Sequence, residues 1–134
     1  MLIYDDFPEH AITKVEIKLK EDIEQSLGTE KVKHIRLGMS DTMGIMAGYH
    51  GVINGQWLYN ETLWVEKTFR GRGIGKGLLQ QAENTASDSF NCKFALSLCI
   101  GDAAKFFIKM GYQQSASFAN WRGHHHMSIL WKSL

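Results

Sequence analysis

The order of apolar and polar residues along the chain predicts most of its secondary structure. In the first 28 residues apolar side chains recur every three or four positions, which is typical of an amphipathic helix, and Gly28 is placed to end it. The periodic positions are Ile12, Val15, Leu19, Ile23 and Leu27. Val15, Ile17 and Leu19 also alternate, so the middle of this segment fits a strand as well.

A group of β-strands is predicted next. Residues 35–40 alternate between apolar and polar side chains, which indicates a half-exposed strand, and residues 41–44 have the composition of a turn. Residues 45–53 predict a second strand, and the Asn54-Gly55 pair after it is the strongest hairpin signal in the chain. Residues 56–66 then complete an antiparallel meander.

The second half of the chain predicts a helix between two strands. Apolar residues repeat every four positions from Ile74 to Ala86 and predict an amphipathic helix that extends to about Ser89. Residues 94–100 are nearly all apolar, as expected of a strand buried on both faces. A strand, a loop, a helix and a strand in this order imply a right-handed crossover between parallel strands.

The end of the chain completes a mixed fold. Asp102 is predicted to cap a short helix that runs through Met110 and ends at Gly111, and residues 127–131 predict a last strand. The whole order predicts an α+β (mixed α/β) fold built around one sheet. Because no linker, repeat or low-complexity tract divides the chain, we expect residues 1–134 to form a single domain.

Composition and charge exclude several classes of protein. Lys and Arg total 15 and Asp and Glu total 14, a formal net charge of +1, whereas broad nucleic-acid binding usually needs a marked basic excess. Hydrophobic residues make up 44% of the chain, as in globular proteins. No apolar run approaches the ~20 residues that span a bilayer, and residues 1–6 lack a signal-peptide pattern. We therefore expect a cytoplasmic protein that binds neither nucleic acid nor membrane.

Cysteines and histidines predict neither a disulfide framework nor a metal site. Cys92 and Cys99 are too few for a disulfide framework or for a metal site made of thiolates. We expect both to be buried structural thiols. If residues 92–100 form a strand, the two side chains would lie on opposite faces of it. His124, His125 and His126 are consecutive and would point to alternate faces of a strand, so they cannot converge on one metal without a bend.

Residues 70–76 carry the clearest chemical signal in the chain. They contain three cations and three glycines, contain no acid, and lie between the apolar run 58–65 and the predicted helix. A glycine loop at the start of a helix leaves several backbone N–H groups unpaired and pointing one way, and the helix dipole adds partial positive charge. The expected ligand is a phosphate or a pyrophosphate.

The spacing in this loop excludes two common phosphate-binding patterns. Lys76 is followed by Gly77 instead of Ser or Thr, so the Walker A pattern fails. The dinucleotide-binding pattern needs a third glycine where this chain has Lys76 or Leu78. For an isolated cluster of glycines, a turn with solvated charges is the simpler alternative.

Two motifs in sequence order resemble the GNAT superfamily of acyl-CoA-dependent N-acyltransferases. Arg70-x-x-Gly73-x-Gly75, which follows Leu63-Trp64-Val65, resembles the pyrophosphate loop of that family, especially in small single-domain bacterial members. Ala103-x-x-Phe106-Phe107-x-x-x-Gly111-Tyr112 resembles the family's later motif, usually Ala-x-x-Phe-Tyr-x-x-x-Gly-Phe/Tyr. The resemblance covers residues 45–134 well and the first 40 residues poorly.

The resemblance implies a fold, a cosubstrate and a reaction. The expected fold is GNAT-like, with a central, mostly antiparallel, twisted sheet that is flanked by helices and splayed at a cofactor cleft. The expected reaction is direct attack by a primary amine of a small molecule or peptide on acetyl-CoA, whose carbonyl is polarised by amides near Val65. The family pattern implies cofactor contacts at Leu63, Trp64, Val65, Arg70, Gly71, Arg72, Gly73, Ile74, Gly75, Lys76 and Phe107.

Proton transfer in this reaction needs a base, and the family pattern also supplies an acid. Glu61 lies on the strand before the loop, where many members carry an acid or polar group, and partial burial would suit it to deprotonate an ammonium. The alternative is a solvent-facing carboxylate that matches a substrate charge. Phe107 stands where the family commonly has a tyrosine that protonates the thiolate. The candidate substitutes are Ser97, Cys99, Tyr112 or a water, and the alternative is that the leaving thiolate needs no acid.

Two other functions are compatible with the loop. A non-catalytic acyl-CoA-binding or regulatory module would keep the loop without the proton donor. A nucleotide- or RNA-phosphate-binding domain would use the same cations, although the near-neutral charge disfavours it. The sequence does not name the amine acceptor or distinguish acetyl from a longer acyl group, and the fold plan is compatible with a homodimer.

Overall fold

The computed structural model describes residues 1–29 and 31–134, which fold as two compact units, Met1–Lys31 and Val32–Leu134. The first unit contains helix α1 (Glu9–Leu27). The elements of the second unit follow in the order β1 (Lys33–Asp41), β2 (Gly44–Asn54), β3 (Trp57–Val65), a 3₁₀ turn (Lys67–Phe69), α2 (Ile74–Phe90), β4 (Phe94–Ile100), α3 (Ala103–Lys109), β5 (Gln113–Arg122) and β6 (His125–Ser133).

Helix α1 confirms the helical interpretation of the first segment over the alternative strand. Pro8 precedes the helix, where its missing N–H causes no loss, and its carbonyl accepts a hydrogen bond from the Ala11 amide at 2.9 Å. Gly28 ends the helix with a φ of 84°, and its amide donates to the Glu24 carbonyl at 2.8 Å. Neither α1 nor any other described helix combines the length and apolar character that a bilayer span requires.

The second unit is built on a six-stranded sheet with strand order β1-β2-β3-β4-β6-β5. β3 and β4 are parallel, while the pairs β1–β2, β2–β3, β4–β6 and β5–β6 are antiparallel. Helix α2 connects the parallel strands and packs against β1, β2 and β3, and α3 contacts β4 and β6. The predicted α+β fold, a mostly antiparallel sheet flanked by helices, is confirmed.

The core lies between the sheet and helix α2. Leu58 of β3, Leu79 of α2 and Leu130 of β6 are completely buried, and Ala82 and Ala86 of α2 let the helix approach the strands closely. Burying each leucine stabilises the fold by about 2 kcal/mol. The four-residue repeat read from the sequence is therefore the buried face of α2.

Two local predictions were wrong. β4 is buried on one face only, because Leu98 and Ile100 are each 47% exposed, and an apolar run by itself does not reveal how many layers cover it. Cys92 and Cys99 are both buried, as predicted, and the condition for opposite faces is not met because the strand begins at Phe94, after Cys92. Asp102 precedes α3, but its side chain caps no amide and instead lies 3.2 Å from the Lys105 ammonium.

Candidate functional site

Strands β3 and β4 separate partway along their length, as the resemblance implied. Their parallel register runs from Trp57 opposite Phe94 to Asn60 opposite Ser97. Beyond that point β3 continues in register with β2, and β4 continues in register with β6. The two strands therefore diverge toward the end of β3 that leads into the glycine loop, and they leave a gap in the sheet.

The end of β3 directs backbone groups into this gap. The Glu66 amide donates to the Met46 carbonyl of β2 at 2.7 Å. Because the N–H groups of successive strand residues point to alternate edges, the Val65 amide points away from β2 and toward the gap. An amide in that position is suited to bond an extended amide-containing chain or to polarise a carbonyl.

The loop after β3 presents a row of unpaired amides at the start of α2. In the part of the chain that the structure describes, the amides of residues 71–76 donate to no backbone acceptor, and the first to do so is that of Gly77, which bonds the Gly73 carbonyl at 2.9 Å. Gly71 and Gly73 have φ angles of 77° and 82°, values that favour glycine. The loop and the helix dipole together form an anion-binding corner.

A cleft of about 700 Å³ joins the gap to the loop. The end of β3, the glycine loop and the start of α3 line it, and apolar side chains dominate the β3 and α3 sides. The lining residues are Leu63, Trp64, Val65, Phe69, Arg70, Gly71, Gly73, Ile74, Gly75, Lys76, Asp102, Ala103, Phe106 and Phe107. This combination suits a ligand with an anionic end and a long, largely uncharged arm.

The structure brings the predicted cofactor-contact residues together, with one exception. The Arg72 guanidinium lies over the Phe69 ring at 5.6 Å and is not part of the lining. The sequence analysis missed Phe69, Asp102, Ala103 and Phe106 as lining residues. Ala103 and Phe106 belong to the second motif and could have been included on that basis, whereas Phe69 and Asp102 carried no recognisable signal.

The glycines and cations of the loop have different roles. A Cβ atom on Gly75 would lie 3.6 Å from Val65 and 3.8 Å from Phe106, so a large side chain there would enter the cleft. Arg70 donates from Nε to the Val65 carbonyl at 2.8 Å and thereby fixes the loop to the end of β3. Lys76 lines the cleft directly.

Glu61 lies at the point where β3 and β4 part, outside the cleft lining. Asn60 and Thr62 pair with Gly51 and His50 of β2, so Glu61 is the extra residue of a β-bulge. Its Oε2 lies 3.1 Å from His50 Nδ1, and the Glu61 side chain is 47% exposed. The carboxylate is thus a partly exposed group at the edge of the gap, next to a histidine that the sequence analysis did not select.

A buried polar cluster lies at the last paired position of β3 and β4. Asn60 accepts a hydrogen bond from the Tyr49 hydroxyl at 2.5 Å and donates to Ser97 Oγ at 2.9 Å and to the Tyr112 hydroxyl at 2.8 Å. Burial, reinforced by the charge of Glu83, raises the pKa of both tyrosines.

The structure does not bring the candidate acid groups into the cleft. Ser97, Cys99 and Tyr112 lie outside the lining that the described residues form. Burial raises the pKa of Cys99 to about 11 and that of Tyr112 still further, so neither is readily deprotonated. Phe107, the lining residue at the expected tyrosine position, has no proton to donate.

Comparison with known proteins agrees with the fold and the cleft. The family profile described as "Acetyltransferase (GNAT) domain" matches residues 33–114, from β1 into β5. The chain therefore belongs to the GNAT acetyltransferase family. The match lies within the second compact unit and contains the parted strands, the glycine loop and both sequence motifs.

Individual relatives are similar over part or all of the chain. Blasticidin-S acetyltransferase from Streptomyces morookaense is 31% identical over 78 residues, which are 58% of this chain and 57% of that protein, so the match spans little more than half of the relative. An acetyltransferase structure from Bacillus cereus has a TM-score of 0.88 at 21% identity and covers 100% of this chain and 99% of its own.

A third relative was solved with a ligand. A protein assigned as a streptothricin acetyltransferase from Bacillus anthracis, in complex with acetyl coenzyme A, has a TM-score of 0.65 at 20% identity. The alignment covers 75% of this chain and 62% of that one. At these identities the two solved structures establish a shared fold.

Proposed function

We propose that this protein is an acetyl-CoA-dependent N-acetyltransferase that acts on a primary amine of a small molecule or a peptide. The observation that carries the proposal is the continuous cleft from the amide-rich loop to the gap between β3 and β4. Its anion-binding corner fits a pyrophosphate, and its apolar part fits an acylated arm. Family membership supports the same cosubstrate.

Each end of the cleft has a distinct role in this proposal. The amides of residues 71–76 hold the pyrophosphate, Lys76 adds charge, and Arg70 keeps the loop fixed to Val65. The Val65 amide bonds the arm near its thioester. Phe106 and Phe107 exclude water from the opposite wall, which strengthens the polar contacts inside.

Glu61 is the proposed base. It takes one proton from the substrate ammonium, and the neutral nitrogen then attacks the thioester carbonyl carbon, forming the C–N bond. As the C–S bond breaks, the remaining excess proton on nitrogen passes to the departing sulfur, and Glu61 releases its proton to solvent. Its position at the parting of the strands and its partial exposure support this role.

The acceptor class follows from the relatives and from the charge of the base. The relative of 31% identity is named for blasticidin S, an antibiotic, so a small cationic amine is the first class to test. A carboxylate at the edge of the gap favours a positively charged acceptor over a neutral one. We propose that residues 1–134 act as one domain in the cytoplasm, and a homodimer is compatible with this function.

The test combines calorimetry with a transfer assay. Acetyl-CoA should bind the wild-type protein, and thiol release should depend on an added amine. Gly75→Phe should abolish binding because its ring would occupy the cleft beside Val65 and Phe106. Gly77→Ala is the matched control, since its Cβ meets nothing within 4 Å and its amide is already bonded within α2. Unchanged affinity in Gly75→Phe would refute the assigned cofactor site.

A second candidate is an acyl-CoA-binding module without transfer activity. Phe107 favours this candidate, because it occupies the position that commonly holds a tyrosine and has no hydroxyl group to donate a proton. If this second function is correct, the protein should bind acetyl-CoA tightly. It should show no amine-dependent thiol release with a panel of polyamines, nucleoside antibiotics, aminoglycosides and peptides.

A further inference from the structure

His50 lies between Glu61 and a second histidine, in a line of close polar contacts that crosses three strands. His50 Nδ1 lies 3.1 Å from Glu61 Oε2 on β3, and His50 Nε2 lies 2.9 Å from His34 Nδ1 on β1. The two imidazole planes are inclined by 18°, and the ring centroids lie 5.1 Å apart. In the described residues no group of three His, Cys, Asp or Glu side chains is arranged to hold a metal.

This line lies on the sheet face opposite the helices. Ala47, Tyr49 and Ile53 of β2 are buried in the core with α2, and His50 alternates with them and points the other way. On that face the register places Arg36 of β1 and Thr62 of β3 directly beside His50. Among the described residues, the titratable and charged groups on this face of the adjacent strands include His34, Arg36, Tyr59 and Glu61.

One arrangement of protons fits all three groups. An ionised Glu61 can only accept, so a neutral His50 offers it a donor when its proton is on Nδ1. His50 Nε2 is then an acceptor, and His34 Nδ1 donates to it. His34 Nε2 is left with a free lone pair on an exposed residue. Glu61 in turn has one oxygen held and the other available.

We propose that His50, supported by His34, is a positioning residue that orients the Glu61 carboxylate toward the acceptor amine. This inference rests on the proposed function, with Glu61 as the base. In this role His50 Nδ1, 3.1 Å from Oε2, holds that oxygen in place and leaves Oε1 for an incoming ammonium.

Two substitutions at the same position separate the N–H donor from the ring. His50→Asn keeps an N–H donor near the Nδ1 position, so it should retain kcat within about threefold. His50→Phe keeps a ring and removes both polar contacts, so kcat should fall by about 10- to 100-fold, with the affinity for acetyl-CoA unchanged. His34→Phe removes only the contact with His50 Nε2, so its loss of kcat should be smaller than that of His50→Phe.

The controls separate failure of this inference from failure of the proposed function. His10→Asn, on α1, should behave as wild type. If Glu61→Gln keeps full activity, the base assignment fails. If Glu61→Gln is inactive while His50→Phe keeps the wild-type kcat, Glu61 remains the base and the histidine inference is wrong.

A spectroscopic measurement tests the line of hydrogen bonds without any activity. Long-range ¹H–¹⁵N correlation spectra at pH 8 should show His50 as the Nδ1–H tautomer, and Glu61→Gln should change that tautomer or its ¹⁵N shifts. A His50 in the Nε2–H tautomer in the wild-type protein would overturn the proposal. This measurement needs no substrate, so it can be made even if no acceptor amine is found.

Discussion

Asn60 organises the point at which the two parallel strands part. Its carbonyl oxygen and both amide hydrogens are used by Tyr49, Ser97 and Tyr112, which come from β2, β4 and the segment after α3. Asn60 is only 5% exposed, so water cannot replace these partners. A single amide therefore satisfies three hydroxyl groups at the apex of the gap.

Asn60→Leu should lower the free energy of unfolding by about 2–3 kcal/mol, because three buried hydroxyls lose their partner. Urea denaturation followed by circular dichroism measures the change. Asn84→Leu, at an exposed position of α2, is the matched control and should stay within about 0.5 kcal/mol of wild type. Equal effects at both positions would contradict the role of the cluster.

The buried thiol of Cys99 should be unreactive in the native protein. Burial raises its pKa from 9.0 to about 11, so the thiol stays protonated at pH 8. Because the folded pKa is above the unfolded one, this group's contribution to stability is present below pH 9 and is lost as pH rises toward 11. Ellman's reagent at pH 8 should label Cys99 only after denaturation; rapid native labelling that Cys99→Ala abolishes would disprove this.

The β-bulge in β3 decides which side chains of that element meet the cleft. Before the bulge, Leu58 and Asn60 face the core, and one inserted residue resets the alternation so that Leu63 and Val65 line the cleft. The inserted residue is Glu61. One irregularity therefore places both the proposed base and the wall of the cofactor cleft.

The glycine loop should derive more of its affinity from Lys76 than from Arg72. Lys76 lines the cleft, whereas the Arg72 guanidinium lies over Phe69. We expect Lys76→Ala to weaken acetyl-CoA binding about tenfold, or about 1.4 kcal/mol, and to reduce its dependence on salt. Arg72→Ala should change the affinity by less than about threefold. Calorimetry at two salt concentrations measures both changes in affinity. A larger loss in Arg72→Ala than in Lys76→Ala would contradict the assignment of Lys76 to the cleft wall.

Lys132 connects three elements of the second unit. Its ammonium lies 2.9 Å from Glu83 Oε2 on α2 and 3.1 Å from the Met110 carbonyl at the end of α3, and it lies over the Tyr112 ring. Burial raises the pKa of Glu83, and the hydrogen bond and charge of Lys132 oppose that rise. The ion pair thus holds α2, α3 and β6 together behind the cleft.

Lys132→Met should reduce the free energy of unfolding by about 3 kcal/mol, because it leaves a buried carboxylate without its partner. The double variant Glu83→Gln with Lys132→Met should recover much of that loss, since it removes the unpaired charge. A double-mutant cycle in urea measures the coupling between the two residues. Additive effects would show that the pair does not act as a unit.

The sequence by itself determined the local features of this protein. The three- and four-residue spacing ending at Gly28 gave α1, Asn54-Gly55 gave the β2–β3 hairpin, and residues 70–76 gave the anion-binding corner. These features depend on neighbouring residues and on backbone preferences that each residue carries with it. Together with the second motif, they were sufficient to identify the family.

The tertiary structure alone decided which distant residues meet. The line from His34 to Glu61 and the cluster around Asn60 depend on strand register, which includes a bulge that no single residue type predicts. A shift of one residue would turn these side chains to the other face. Phe69 and Asp102 reach the cleft wall because the turn after β3 and the start of α3 pack on either side of it. That register is set by packing over the whole sheet, which local sequence patterns do not contain.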